Sequence, residues 1–169
     1  MLVALADTHA HGAPPLTDHL RETLRDADTV VHAGDFTAEA TLSGFRELAE
    51  DCGFRFVAVH GNSDSAAVRG ALPAVRTVEA LGERVLVVHG HEHSRTGLSM
   101  LARQEEAGVV VVGHTHRPGV TRAGEGTGSV VVNPGSHADP RGGQPAYARV
   151  HRRAGTVDVE LRSPAGTVL

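Results

Sequence analysis

No lysine, isoleucine or tryptophan occurs in these 169 residues, and cysteine occurs once, as Cys52. A single thiol excludes a disulfide framework. Lying in an amphipathic stretch, it reads as a buried and inert side chain. Aromatic residues make up only 3% of the chain, so its core must be aliphatic, built from Val, Leu and Ala. All 16 basic side chains are arginines, they form no run, and the formal charge is −4. That balance argues against broad nucleic-acid binding. The opening Met1-Leu-Val-Ala-Leu-Ala-Asp7 is too short and too soon interrupted for a signal peptide or a membrane span. The expectation is a cytoplasmic protein with no membrane partner. It should form one domain over residues 1–169, long enough to bury roughly 70% of its unfolded surface.

What the chain does have is histidine, twelve of them, most beside a glycine or an acid. The densest stretch is Val109–His116, VVVVGHTH. Four valines in a row suit a strand buried on both faces. Gly113 gives room for a turn, and His114 and His116 follow at i and i+2. On an extended chain the two imidazoles would leave the same side roughly 7 Å apart. That spacing suits two neighbouring metal ions about 3.5–4 Å apart. Taken alone, the stretch reads equally well as a pair of solvated loop histidines.

The first sixty residues alternate strand and helix. Strands are expected over Leu2–Ala6, Thr29–His32 and Phe54–Val59, with amphipathic helices over Thr17–Ala27 and Ala38–Asp51, the second stopped by Gly53. This alternation calls for a parallel sheet covered by helices. A short crossing region leads to strands Val75–Ala80 and Arg84–Val88, then a helix over Thr96–Ala107 stopped by Gly108. From Pro118 onward the pattern changes to short strands at Gly119–Arg122, Ser129–Asn133, Ala146–His151 and Thr156–Leu161. They read as antiparallel, with Gly124–Gly128 as a plain hairpin turn rather than a phosphate cradle.

Set side by side, the polar pairs share one geometry. Asp7 and His9, Asn62 and Asp64, His89 and His91, and His114 and His116 are each i, i+2 pairs just past an apolar strand. Asp35 holds the same place after Gly34. Ligands of an open α/β sheet bind outside the carboxyl ends of its strands. Five strand ends therefore deliver Asp, His, Asn and His to one edge. Carboxylate, imidazole and amide oxygen suit Mn²⁺, Fe or Zn²⁺, and the lack of cysteines argues against a structural zinc site.

Asp7-x-His9, Gly34-Asp35, Gly61-Asn62-x-Asp64, His89-Gly90-His91 and Gly113-His114-x-His116 resemble, in order and spacing, the calcineurin-like metallophosphoesterases. The nearer resemblance is to their small single-domain phosphodiesterases, the branch that includes the retromer scaffold subunit. Asn133-Pro134-Gly135-Ser136 also resembles a late loop of that branch. The likeness runs from about residue 1 to 150. It implies an α/β fold, a four-layer α/β/β/α sandwich with a parallel or mixed first half and an antiparallel second half. It also implies two divalent ions, Mn²⁺ first, with Fe, Zn²⁺ or Ni²⁺ as alternatives. Asp7, His9 and His116 would hold the first, Asn62, His89 and His114 the second, and Asp35 would bridge them. The implied reaction is in-line attack of a metal-bound hydroxide on a small phosphoester, with Asp64 orienting a ligand or a turn and His91 the candidate proton donor.

Two positions depart from the family. Ser63 stands where the wider superfamily often has a leaving-group histidine and the small-phosphodiesterase branch often has cysteine. This fits the branch and disfavours a protein or nucleotide phosphomonoesterase. Ala10 replaces the usual Gly after His9 without removing a ligand. The alternative to an enzyme is an interaction scaffold on the same fold with a vestigial metal site, which the retention of all seven ligand types disfavours. Among the other histidines, His32 and His60 touch a motif. His11 and His93 are expected on exposed loops, and His19, His137 and His151 on the surface. Arg141 reads as a surface residue, with a phosphate contact as its alternative.

Overall fold

The computed structural model describes residues 1–122 and 128–169, so the expected Gly124–Gly128 turn lies outside it except for Gly128. The first half follows the expected alternation, with β1 (Leu2–Leu5), α1 (Asp18–Arg25), β2 (Thr29–His32), α2 (Glu39–Cys52) and β3 (Arg55–Ala58). The crossing region holds a short helix, α3 (Ala66–Ala71), before strands β4 (Val75–Ala80) and β5 (Glu83–Val88). Next come α4 (Arg95–Gln104), β6 (Val109–Val111), β7 (Gly119–Arg122), β8 (Val130–Asn133), β9 (Tyr147–Arg153) and β10 (Thr156–Arg162).

The strands form two five-stranded sheets, ordered β10-β9-β1-β2-β3 and β4-β5-β6-β8-β7. Side-chain alternation sorts each strand between two neighbours. Val3 and Leu5 of β1 face Leu20, Leu24, Leu42 and Phe45 of the helices α1 and α2. Leu2, Ala4 and Ala6 face Val85, Val87, Val109 and Val111 of the other sheet. Val110 and Val112 turn outward onto Ala102, Leu98 and Leu101 of α4. The layers are therefore helix, sheet, sheet, helix. Each valine buried on both sides in this way stabilises the sandwich by roughly 1.5–3 kcal/mol. Cys52, expected to be buried, is half-buried at the end of α2 against the first core.

The later strands are antiparallel only in part. The pairs β7–β8 and β9–β10 are antiparallel, but β8 runs parallel to β6. The chain leaves β6, runs out to edge strand β7, and returns by the hairpin into the gap beside β6. That excursion replaces the helix a parallel connection usually needs. It also puts the carboxyl end of β8 beside those of β5 and β6, where the polar loops gather.

Candidate metal centre

The polar pairs leave their strands through a backbone that is not extended. Asp7, His9, Asp35, His114 and His116 have φ of 54°, 46°, 60°, 70° and 57°. Side chains with a Cβ rarely adopt this left-handed region, although Asp and His are among those that tolerate it. Such conformations persist only where surrounding contacts hold them. Those contacts are here. Asp7 N–H donates to Gly34 O at 3.0 Å and His9 N–H to Asp35 O at 3.0 Å. His114 N–H donates to Asp7 Oδ1 at 3.0 Å, tying the two sheets together. The glycines are needed for close approach. A Cβ on Gly113 would lie 2.9 Å from Ala6 Cβ and 3.2 Å from Asp7 Oδ2.

The seven expected ligands converge as two groups of donor atoms. Asp7, His9 and His116 can offer one atom each within 4.8 Å of one another, as can Asp7, Asp35 and His89. Asn62 Oδ1 lies 3.1 Å from both His89 Nε2 and His114 Nδ1. Asp35 Oδ2 stands between the groups, 3.4 Å from His9 Nε2 and 3.3 Å from His89 Nε2. Its Oδ1 accepts from Ser63 N–H at 2.8 Å, which fixes the carboxylate plane.

Three of the four imidazoles are aimed by their other nitrogen. His89 Nδ1–H donates to Ala33 O at 2.7 Å, and His116 Nδ1–H donates to Asp139 O. His9 Nδ1 meets Thr37 Oγ1 at 3.2 Å. With Nδ1 engaged in this way, Nε2 is the nitrogen left to face inward and, once free of a proton, to accept a metal. The donor set passes a further test of fit. Asp7 Oδ2 and His116 Nε2 are buried with no hydrogen-bond partner among the described residues. Orphaned buried polar atoms are rare and call for a missing partner. A cation between a carboxylate oxygen and an imidazole nitrogen is such a partner.

The protonation equilibria agree. Burial pushes the Asp7 carboxyl up to about 6, against the lowering pull of His89 and His116. Burial also acts to raise Asp35, but the hydrogen bond and charge of His89, with the Ser63 amide, hold it well below the usual carboxylate range. Burial opposes protonation of His89, yet the Asp35 hydrogen bond and charge outweigh it and raise its pKa. Burial lowers His9 and His114.

The two residues expected to be catalytic fall in different places. Asp64 is buried, with Oδ2 accepting from Gly61 N–H at 2.7 Å and Asp35 N–H at 3.0 Å, and Oδ1 from Thr37 N–H at 2.7 Å. It knits the loops after β2 and β3 and reaches no open space. His91 is half-buried, its ring 5.3 Å from that of His89 and 6.1 Å from that of His114, at the rim of the cluster. Its pKa is lowered by burial and then by the His89 charge.

Of the histidines expected at the surface or on exposed loops, His137, His19, His151 and His93 are covered to some degree. His137, expected at the surface, is 6% exposed, and neither ring nitrogen has a partner among the described residues. Its place in the Gly- and Pro-rich loop after β8 hid that burial. His32 is fully buried behind the site, receiving Gly34 N–H on Nδ1 and donating from Nε2 to Thr8 Oγ1 at 2.8 Å. His19 and His151 are half-buried, as is His93, while His11 is exposed. Arg141 is exposed but turned inward, with Nη2 3.4 Å from His9 Nε2. Sequence reasoning gave no role to Ser136 beyond its loop, yet its Oγ donates to Asp7 O at 2.6 Å and accepts from Asp139 N–H at 2.8 Å. The Asn-Pro-Gly-Ser run was the signal that could have found it.

Comparison with known proteins agrees with this geometry. Residues 1–155 match the sequence profile of the calcineurin-like phosphoesterase superfamily domain. The chain is 28% identical over 166 residues to a probable metallophosphoesterase of Methanothermobacter thermautotrophicus, covering 95% of this chain and 91% of that protein. A predicted phosphoesterase from Streptococcus pneumoniae superposes with a TM-score of 0.74 at 28% identity, over 99% of this chain and 91% of that one. Vps29 from Entamoeba histolytica, in a structure complexed with Zn²⁺, shares the fold at a TM-score of 0.69 and 19% identity, over 96% of this chain and 98% of its own.

Proposed function

The chain belongs to the calcineurin-like phosphoesterase superfamily, a family of metallophosphoesterases, and from that premise we propose that it is a phosphodiesterase working at a dinuclear centre. The observation that carries the reading is the position of Asp35 Oδ2, within 3.4 Å of an imidazole nitrogen from each donor group. A carboxylate so placed fits a bridge between two cations. We assign Asp7, His9 and His116 to one ion, Asn62, His89 and His114 to the other, and take Mn²⁺ as the first choice of metal. When bound, such a pair supplies Lewis acidity to the phosphoryl oxygens and lowers the pKa of water at the site.

The chain's own residues do the rest. Asp7 and Asp35 supply the negative charge that retains the ions, and the carbonyls of Ala33 and Asp139 keep His89 and His116 in the accepting tautomer. Asp64 positions Asp35 through its backbone. Arg141, with Nη2 beside His9 and Nε 3.5 Å from Asp139 Oδ2, offers a guanidinium fork to two non-bridging phosphate oxygens. Ser63 lacks the acidity to protonate a leaving group, which favours esters whose leaving oxygen needs no proton.

The test joins metal analysis to hydrolysis of bis(p-nitrophenyl) phosphate. About two divalent ions per chain are expected under metal-replete conditions, with hydrolysis abolished by a chelator and restored by Mn²⁺. A metal content of zero in an inactive protein would overturn the reading in favour of an interaction scaffold.

A further inference from the structure

A cavity of about 340 Å³ lies away from the metal centre. It lies behind the loop that carries His114 and His116, between α4, β7 and β8. Its floor is aliphatic, with Leu98, Val112 and Val131. Arg95, Arg117 and Arg122 stand around that floor, and among the described residues no carboxylate lines the cavity. None of the three guanidinium groups has an ion pair or hydrogen bond among the described residues, whereas Arg84, Arg152, Arg153 and Arg162 all pair with glutamates or aspartates. In a chain of net charge −4, no acid among the described residues neutralises this wall.

We propose that this cavity is a second binding subsite, which takes an anionic group carried on a compact ring system, as in a nucleoside phosphate. Three unpaired guanidinium forks suit phosphate oxygens, and the aliphatic floor suits the face of a ring. A volume near the lower end of the roughly 300–1,000 Å³ typical of small-ligand sites admits one such group and excludes a diacyl lipid. The cavity also shares a wall with the metal centre. Thr115 lines it between His114 and His116, and Asn133 Nδ2 donates to Thr115 Oγ1 and to Gly113 O, both at 3.0 Å. In the proposed arrangement the second arm of a phosphodiester held at the metal centre crosses this loop into the cavity. That placing of the arm rests on the phosphodiesterase reading, while the cavity's taste for anions does not.

The test uses thymidine 3′,5′-bisphosphate as probe and calorimetric titration of chelator-treated protein. Replacing the three arginines together (Arg95→Gln, Arg117→Gln, Arg122→Gln) should weaken binding by about tenfold or more, and each single change by about threefold should the triple variant not fold. Arg103→Gln, the same change of charge as each single variant but on α4 outside the cavity, should change it by less than about twofold. With metal restored, adding a 3′-phosphate to thymidine 5′-(p-nitrophenyl phosphate) should lower KM in the wild type, and the triple variant should lose that preference. Binding that ignores the three arginines, or falls as far in Arg103→Gln, overturns the subsite. Arginine-dependent binding without any hydrolysis would leave the subsite standing and overturn the phosphodiesterase reading. Hydrolysis without arginine-dependent binding would do the reverse.

Discussion

At Asp35 two demands meet in one carboxylate: Oδ1 is spent on the Ser63 amide and Oδ2 faces both donor groups. Asp35→Asn keeps the shape and removes the shared charge, so kcat/KM should fall by a thousandfold or more, on the order of what losing a metal costs. His93→Ala, half-buried but in neither donor group, should stay within about twofold; equal losses in the two variants would refute the bridge. The leaving group gives a second case. His91 sits at the rim with a lowered pKa and is therefore neutral near pH 7, a poor proton donor. Rates across graded aryl and alkyl diesters should fall steeply with leaving-group pKa in both wild type and His91→Ala. A flat dependence that steepens only in His91→Ala would make His91 the acid. His137 gives a third, on stability. Burial lowers its pKa from 6.5 to about 4, so the unfolded chain takes up the proton first. Stability held above about pH 6.5 is lost as pH falls toward 4, by about 3 kcal/mol in all. Urea titrations at neutral and acid pH should show a smaller acid loss in His137→Leu. That seven donor side chains gather at one edge was legible in the sequence because each follows an apolar strand. The burial of His137 was not, since nothing local distinguishes it from a solvated loop histidine.

The elements themselves were read where periodicity was strong. Helix α2 and the strands of the first half stand where Leu42, Phe45, Leu48 and the valine runs put them. Helix α3 was missed because six residues with Val68 alone buried show no period. The i, i+2 pairs were read as lying just past the strands, on a chain that would stay extended at His114 and His116, but four of their residues, and Asp35 beside them, turn at positive φ. The loops between elements, rather than the strands, set the geometry of the centre. Asp64 therefore matters as a clamp between two loops. Asp64→Asn exchanges one accepting oxygen for a donating amide, which breaks part of the set from Gly61, Asp35 and Thr37. Metal affinity should fall by about 10–100-fold, the range for groups that hold ligands in place. Far-ultraviolet dichroism should remain that of the wild type, and calorimetric metal titration reads the loss. An unchanged affinity would mean that the loops hold their shape without the clamp.

Over the whole molecule the donors are divided between the sheets. Asp7, His9, Asp35 and Asn62 follow strands of the first, and His89, His114 and His116 follow strands of the second. Ions held at this edge would pin the two sheets to each other. They bind the folded chain and not the unfolded one, so they should add about 2.7 kcal/mol at a hundredfold excess over Kd. For a chain of this size that corresponds to a rise in Tm of roughly 5–10 °C. The sign of its pH dependence follows from the donors. Asp7, raised to about 6, and His89, also raised, must both lose their protons before a cation can replace them. The gain should be full above those values and shrink as pH falls through about 6. Metal-free protein moves the other way at Asp7, because keeping that buried carboxylate charged costs stability that protonation relieves. The difference in Tm between metal-loaded and chelated protein should therefore be largest near neutrality and close to zero by about pH 5, and Asp35→Asn should show little of it at any pH. A difference that stays constant across this range would mean that the ions sit on groups other than Asp7 and His89.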